Sequence, residues 1–131
     1  MSRVPSDRVA LVTGASRGLG AAIATRLARD GLPVAVNYHR SAELAEALAA
    51  GLRDEGAAAE AFGADVTDAA GVRALVEAVE DRLGPIGVLV LNATGPQPEA
   101  PLEQTEWDRH AAHLDFSSRA PSCWGWPCWR G

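Results

Sequence analysis

From Arg8 to Gly95 the sequence alternates between short, continuous apolar runs and longer stretches that repeat every three to four residues. Runs of the first kind mark strands buried on both faces, and repeats of the second kind mark helices with one covered side. "RVALVTG" is the first strand, and "GLGAAIATRLARDG" the first helix, with Leu19, Ile23 and Leu27 four apart on the expected inner face and Gly31 at its end. "LPVAVNY" is a second strand, with Pro33 at its start, where a missing N–H does little harm. Ser41 then caps a helix, "SAELAEALAAGLRDEG", that carries Leu44, Leu48 and Leu52 in register. "AAEAFGADV" is a weaker third strand. "TDAAGVRALVEAVEDRLG" is a third helix with Val72, Val76, Val79 and Leu83 inward, stopped by Gly84-Pro85. "IGVLVLNATG" is a fourth strand, apolar throughout.

Strands joined by helices through short connections require a parallel sheet, covered on both faces. Right-handed crossovers leave few topologies, and the expected class is α/β, a Rossmann-type doubly wound parallel sheet truncated after about four strands. After Gly95 the pattern gives way to a proline-rich loop, "PQPEAPLEQ", and a short helix, "TEWDRHAAHLDF", opened by Thr105 with Asp108 three residues on. The chain has 131 residues, one domain's worth, with no internal repeat and no linker. A net charge of −5 without a basic cluster argues against a nucleic-acid partner. No apolar run reaches the roughly 18–20 residues that span a bilayer, and the N-terminus carries no signal-peptide pattern. A cytoplasmic protein without a membrane partner is the expectation.

The strongest chemical signal is "TGASRGLG", between the first strand and the first helix. Gly14 permits a tight turn off the strand, Gly18 lets backbone approach a pyrophosphate, and Gly20 lets the helix pack closely on the sheet. The helix start adds unsatisfied N–H groups and a positive dipole end. The spacing is T-G-x-x-x-G-x-G, and in it the sequence resembles the short-chain dehydrogenase/reductase family, in particular its 3-oxoacyl-carrier-protein reductase-like branch. "GADVTD" and "LVLNATG" fit the same resemblance, with Leu91 and Thr94 departing from the family's N-N-A-G motif; order and spacing agree over residues 8–95. The resemblance implies that Gly14, Ser16, Arg17, Gly18, Leu19 and Gly20 form a phosphate loop. It further implies that Asp65 and Val66 meet the adenine, and that Asn92 and Ala93 lie on the ribose side.

The end of the second strand bears on the choice of cofactor. An Asp or Glu there would accept from a ribose 2′-hydroxyl; this chain has neutral Asn37, then Tyr38, His39, Arg40 and Ser41. An arginine fork and a serine hydroxyl can hold a 2′-phosphate that a carboxylate would repel, and Arg17 adds a second positive charge. NADP is therefore expected in preference to NAD. A solvated Arg40 at a helix start and a surface His39 are the plain alternative.

The family's chemistry is hydride transfer between nicotinamide and a carbonyl or alcohol carbon. A tyrosine, its pKa lowered by the lysine of a Tyr-x-x-x-Lys pair, supplies the proton, and a serine orients the substrate oxygen. Here the single tyrosine is Tyr38 and all 12 basic residues are arginines, so no catalytic residue is assigned. Leu114-Asp115 occupies the neighbourhood of the family's helix-four asparagine, and Ser117, Ser118 and Ser122 precede any fifth strand. A small-molecule carbonyl substrate and an oligomeric state are expected only of a complete enzyme.

The tail, "LDFSSRAPSCWGWPCWRG", holds both cysteines and three of the four tryptophans. With His110 and His113, Cys123 and Cys128 supply the ligand types of a Cys₂His₂ zinc site, at loose spacing. The alternative is a shifted reading frame: synonymous codons for this stretch, read one nucleotide earlier, spell an apolar string that includes a lysine. The expectation is a cofactor-binding unit over residues 1–116 and an anomalous segment, frameshifted or truncated, over 117–131. Three readings follow: the NADP-binding portion of a reductase, inactive alone; a non-catalytic NADP(H)-binding module; and a zinc-dependent interaction domain.

Overall fold

A computed structural model describes residues 7–94 together with 107, 108 and 111. Its elements are β1 (Val9–Val12), α1 (Gly18–Arg29), β2 (Val34–Tyr38), α2 (Ala42–Asp54), β3 (Ala59–Gly63), α3 (Ala69–Arg82) and β4 (Ile86–Val90). The strands form one parallel sheet in the order β3-β2-β1-β4. The alternating pattern thus becomes the expected doubly wound architecture. The β1 side chains Val9, Ala10, Leu11 and Val12 are all inaccessible to water, which explains why this strand is apolar without alternation.

Strand parity divides the core. Ala10, Val12, Val34, Val36, Ala59 and Ala61 face α1 and α2, while Val9, Leu11, Ala35, Phe62 and Ile86 face α3. Full burial of a Val or Leu contributes about 1.5–3 kcal/mol relative to exposure, so both faces hold the sheet.

The helix faces depart from the spacing-based expectation. In α1 the buried residues are Gly20, Ala24 and Ala28, whereas Leu19 is 70% exposed and Ile23 and Leu27 are half-buried. In α2 they are Ala45, Ala49 and Leu52, with Leu44 exposed and Leu48 half-buried. In α3 Val72 and Val79 are inward as expected, but Leu75 joins them and Val76 and Leu83 are half-buried. A helix lying close on a sheet has room for small side chains along its line of contact, and its larger ones spread to either flank. The Asp68 carboxylate caps α3, accepting from the N–H groups of Ala70 and Gly71 at 3.3 and 3.2 Å. Ser41 stands at the N-cap position of α2, but its side chain makes no capping bond. Of the short helix beyond Gly95, Trp107, Asp108 and Ala111 are helical; Thr105 and the tail lie outside the described residues.

Candidate functional site

All four strands end at one edge of the sheet, and the loops that leave β1, β2, β3 and β4 there enclose a cleft of about 880 Å³. It lies where the chain reverses direction across the sheet between β1 and β4, the usual crevice of doubly wound folds. Every residue expected at the site lines it except Gly18 and Gly20: Gly14, Ser16, Arg17, Leu19, Tyr38, His39, Arg40, Ser41, Asp65, Val66, Asn92 and Ala93. Asn37, Ala64, Thr67 and Thr94 line it as well.

The glycine loop is shaped by close approach. Gly14 has φ +60°, and a Cβ on it would lie 2.8 Å from the Ala93 Cα. A Cβ on Gly20 would run into the Gly14 carbonyl and the Asn92 amide. Gly18 differs: it has φ +61° but nothing within 4 Å of its Cβ position. Gly14 and Gly20 are therefore held by close packing, and Gly18 by its left-handed backbone alone.

Thr13 and Asn92 bind this loop to β4. The Thr13 hydroxyl accepts from the N–H groups of Asn92 and Ala93, both at 3.0 Å, and donates to the Val90 carbonyl at 3.3 Å. Asn92 Nδ2 donates to the carbonyls of Gly14 at 3.1 Å and Thr13 at 3.3 Å. At the start of α1, Arg17 occupies the N-cap without a side-chain capping bond, and the first turn has no acidic residue. The positive end of that helix is thus uncompensated by its own side chains.

Across the cleft, His39 and Arg40 are exposed at the end of β2 and Ser41 is half-buried. The Tyr38 ring lies against Gly63, where a Cβ would come within 3.0 Å of its Cζ and hydroxyl. Asp65 follows β3, and its Oδ1 accepts from the Thr67 hydroxyl at 2.6 Å and the Thr67 N–H at 2.9 Å. The Thr67 hydroxyl, then its N–H, hold the Asp65 carboxyl below the usual carboxylate range, assisted by the positive charge of His39 and Arg40 and opposed by partial burial.

Thr13, Asn37 and Thr67 were not among the expected site residues. Thr13 sits inside the quoted loop motif, and Thr67 is two residues past Asp65, the spacing of an Asx turn. Asn37 follows three buried residues of β2 and shares their burial, at 2% exposed. Among the described residues no group of three or more His, Cys, Asp and Glu is placed to hold a metal ion. The suggested zinc ligands His110, His113, Cys123 and Cys128 lie outside those residues.

A parallel doubly wound sheet with a glycine loop between β1 and α1, and its open crevice above that loop, is the architecture of nucleotide-cofactor domains. The family model described as short chain dehydrogenase matches residues 8–117, and the chain belongs to that family. It is 44% identical over 101 residues to the 3-oxoacyl-[acyl-carrier-protein] reductase FabG of Staphylococcus aureus, covering 76% of this chain and 41% of the relative. A short chain dehydrogenase from Burkholderia cenocepacia in complex with NADP superposes with a TM-score of 0.82 at 42% identity, over 90% of this chain and 48% of that one. A blue fluorescent protein from a metagenomic library, in complex with NADPH, gives 0.79 at 42% identity over 88% and 47%. The chain thus spans less than half the length of these relatives.

Proposed function

We propose that this chain is the NADP(H)-binding portion of a short-chain dehydrogenase/reductase, whose complete form transfers hydride between NADPH and a carbonyl or alcohol carbon. The reading is carried by the cleft's charge layout: Arg40 and Ser41 stand at the end of β2, where no carboxylate is present, with Arg17 in the glycine loop. The start of α1, without a capping side chain and without an acidic residue in its first turn, suits the phosphates of a dinucleotide. In this reading Gly14, Ser16, Arg17, Gly18, Leu19 and Gly20 receive the pyrophosphate on backbone N–H groups. Tyr38, His39, Arg40 and Ser41 bound the 2′-phosphate, Asp65 and Val66 the adenine, and Asn92 and Ala93 the ribose nearer the nicotinamide. Bound there, the cofactor supplies hydride. The NADP complex of the Burkholderia relative and the NADPH complex of the metagenomic protein support the assignment.

The proposal extends to organisation. Residues 1–116 form the cofactor unit, and 117–131 are an out-of-frame segment. A cytoplasmic setting and an oligomer in the complete family fold belong to the same reading. No helix among the described residues is long and apolar enough to cross a membrane. Sequencing the coding DNA decides the tail: the neighbouring frame should continue without early stops into a Tyr-x-x-x-Lys pair, and stops there would remove the frameshift.

Titration of NADPH fluorescence tests the cofactor assignment. Charge-assisted bonds of about 1.5–3 kcal/mol predict NADPH binding at least about tenfold tighter than NADH, and Arg40→Ala should erase most of that difference. Equal affinities would overturn the NADP preference. Because the chain contains no lysine, a non-catalytic NADP(H)-binding module remains the second reading, and it shares the binding prediction.

A further inference from the structure

The cofactor roles above leave one buried polar side chain at the end of β2 without a task. Asn37 is 2% exposed and sits at the junction of the two loops that form opposite walls of the cleft. Its Oδ1 accepts from the Gly14 N–H at 3.3 Å. Its Nδ2 points among three carbonyls, of Phe62 at 3.2 Å, Tyr38 at 3.3 Å and Ala64 at 3.4 Å. Backbone bonds run alongside: Ala15 N–H donates to the Asn37 carbonyl and Ala64 N–H to the Tyr38 carbonyl, both at 2.9 Å.

This surrounding selects asparagine. Three carbonyls at one end require an N–H donor, and a backbone N–H at the other end requires an acceptor; a carboxamide of this size satisfies both. Aspartate has the same shape but would set an oxygen against three carbonyl oxygens, and an apolar side chain would join neither loop. Burial raises the value of each bond and the cost of leaving one unmade.

We infer that Asn37 is a positioning residue that couples the glycine loop to the segment after β3, fixing the separation between the phosphate and adenine sides of a bound dinucleotide. The inference rests on the nucleotide-binding reading above. It also assigns Asn37 a role apart from cofactor choice: its side chain is consumed by the junction, so discrimination at the 2′ position falls to the residues that follow it.

The test compares the full chain with its Asn37→Ala and Asn37→Ser variants, at a temperature where circular dichroism shows all three folded. The ligands are NADPH, which spans both walls, and adenosine 2′-monophosphate, which has no pyrophosphate for the glycine loop to receive. Both variants should raise the Kd for NADPH about tenfold while changing that for adenosine 2′-monophosphate less than about threefold. Amide hydrogen exchange should accelerate together at Gly14 and Ala64, leaving Ala10 and Val34 in the sheet unchanged. Unchanged NADPH affinity, or acceleration of all amides alike, overturns the coupling. Should neither variant fold, the native chain decides: adenosine 2′-monophosphate should slow exchange at Gly14 across the junction, and an unaffected Gly14 overturns it. A native chain that binds no NADPH removes the nucleotide-binding reading and the inference with it; native binding with unaltered variants removes the Asn37 role alone.

Discussion

At the residue scale, the three loop glycines are separable because a methyl group meets something different at each. On Gly20 it strikes the Gly14 backbone carbonyl, which has no flexible side-chain end to move aside. Gly20→Ala should therefore cost about 1–3 kcal/mol of stability, read as a lowered Tm. On Gly18 the methyl meets open space, and only the φ of +61° is unfavourable, at about 1–2 kcal/mol. Gly18→Ala should weaken NADPH binding well beyond its effect on folding, whereas Gly20→Ala should do the reverse; equal effects from the two would remove the distinction. Asp65 gives a pH-dependent counterpart. Its carboxyl is held below the usual range first by the Thr67 hydroxyl, so its contribution is present above the unfolded value of about 3.9 and is lost as pH falls through the folded value. Thr67→Val should be less stable than the native chain at pH 7, by no more than about 1 kcal/mol because the pair is solvent-screened. Denaturant titrations at pH 7 and about pH 3 should show that gap closing in acid. A gap that stays constant would mean that Thr67 acts through packing.

At the scale of elements, α1 and α2 show how far an apolar pattern determines which face is covered. The order of strands and helices was legible, because a fully buried parallel strand such as Val9–Val12 and a helix with one covered face have different periods. The helix faces were legible only in part: Val72 and Val79 of α3 and Leu52 of α2 are inward as expected, but most of the larger side chains are not. Leu44, Leu48 and Leu52 repeat every four residues, but the covered line of α2 runs through Ala45, Ala49 and Leu52, so leucine size picked out only one of its members. What decided between them is the short gap between helix and sheet, a tertiary quantity that no local repeat encodes. The candidate site divides the same way: its glycines and its Asp65 follow from motif and spacing. Asn37 and Thr13 carry out their work through partners up to 80 residues away, so only the fold identifies them. Paired substitutions follow. Ala24 is completely buried in α1, and Ala24→Leu should cost about 1–3 kcal/mol by overpacking. Leu44 is 47% exposed, and Leu44→Ala should change stability by no more than about 0.5 kcal/mol. Thermal melts of the two variants check the order, which is the opposite of what side-chain size alone would give.

At the scale of the whole molecule, binding and chemistry separate. Reducing a carbonyl with hydride generates an alkoxide that must be protonated as it forms, and a positioned acid contributes about 10²–10⁴-fold to such a step. The sole tyrosine, Tyr38, lines the cleft at the end of β2 with its ring against Gly63, two strands from β4 and the Asn92 side. The sequence contains no lysine to pair with it. The chain also spans 41% of the Staphylococcus aureus reductase, so more than half of that relative's length has no counterpart in this match. The expected outcome is therefore binding without turnover: NADPH fluorescence should change on mixing, while NADPH consumption across a panel of ketones stays at the protein-free rate. Tyr38→Phe sharpens the experiment, since it should leave that background rate unaltered while removing the only phenol. Consumption above background by the pure native chain would overturn the proposed inactivity. Its loss in Tyr38→Phe would then identify Tyr38 as a proton source used from an unexpected side of the cleft, and its survival would point to water as the acid.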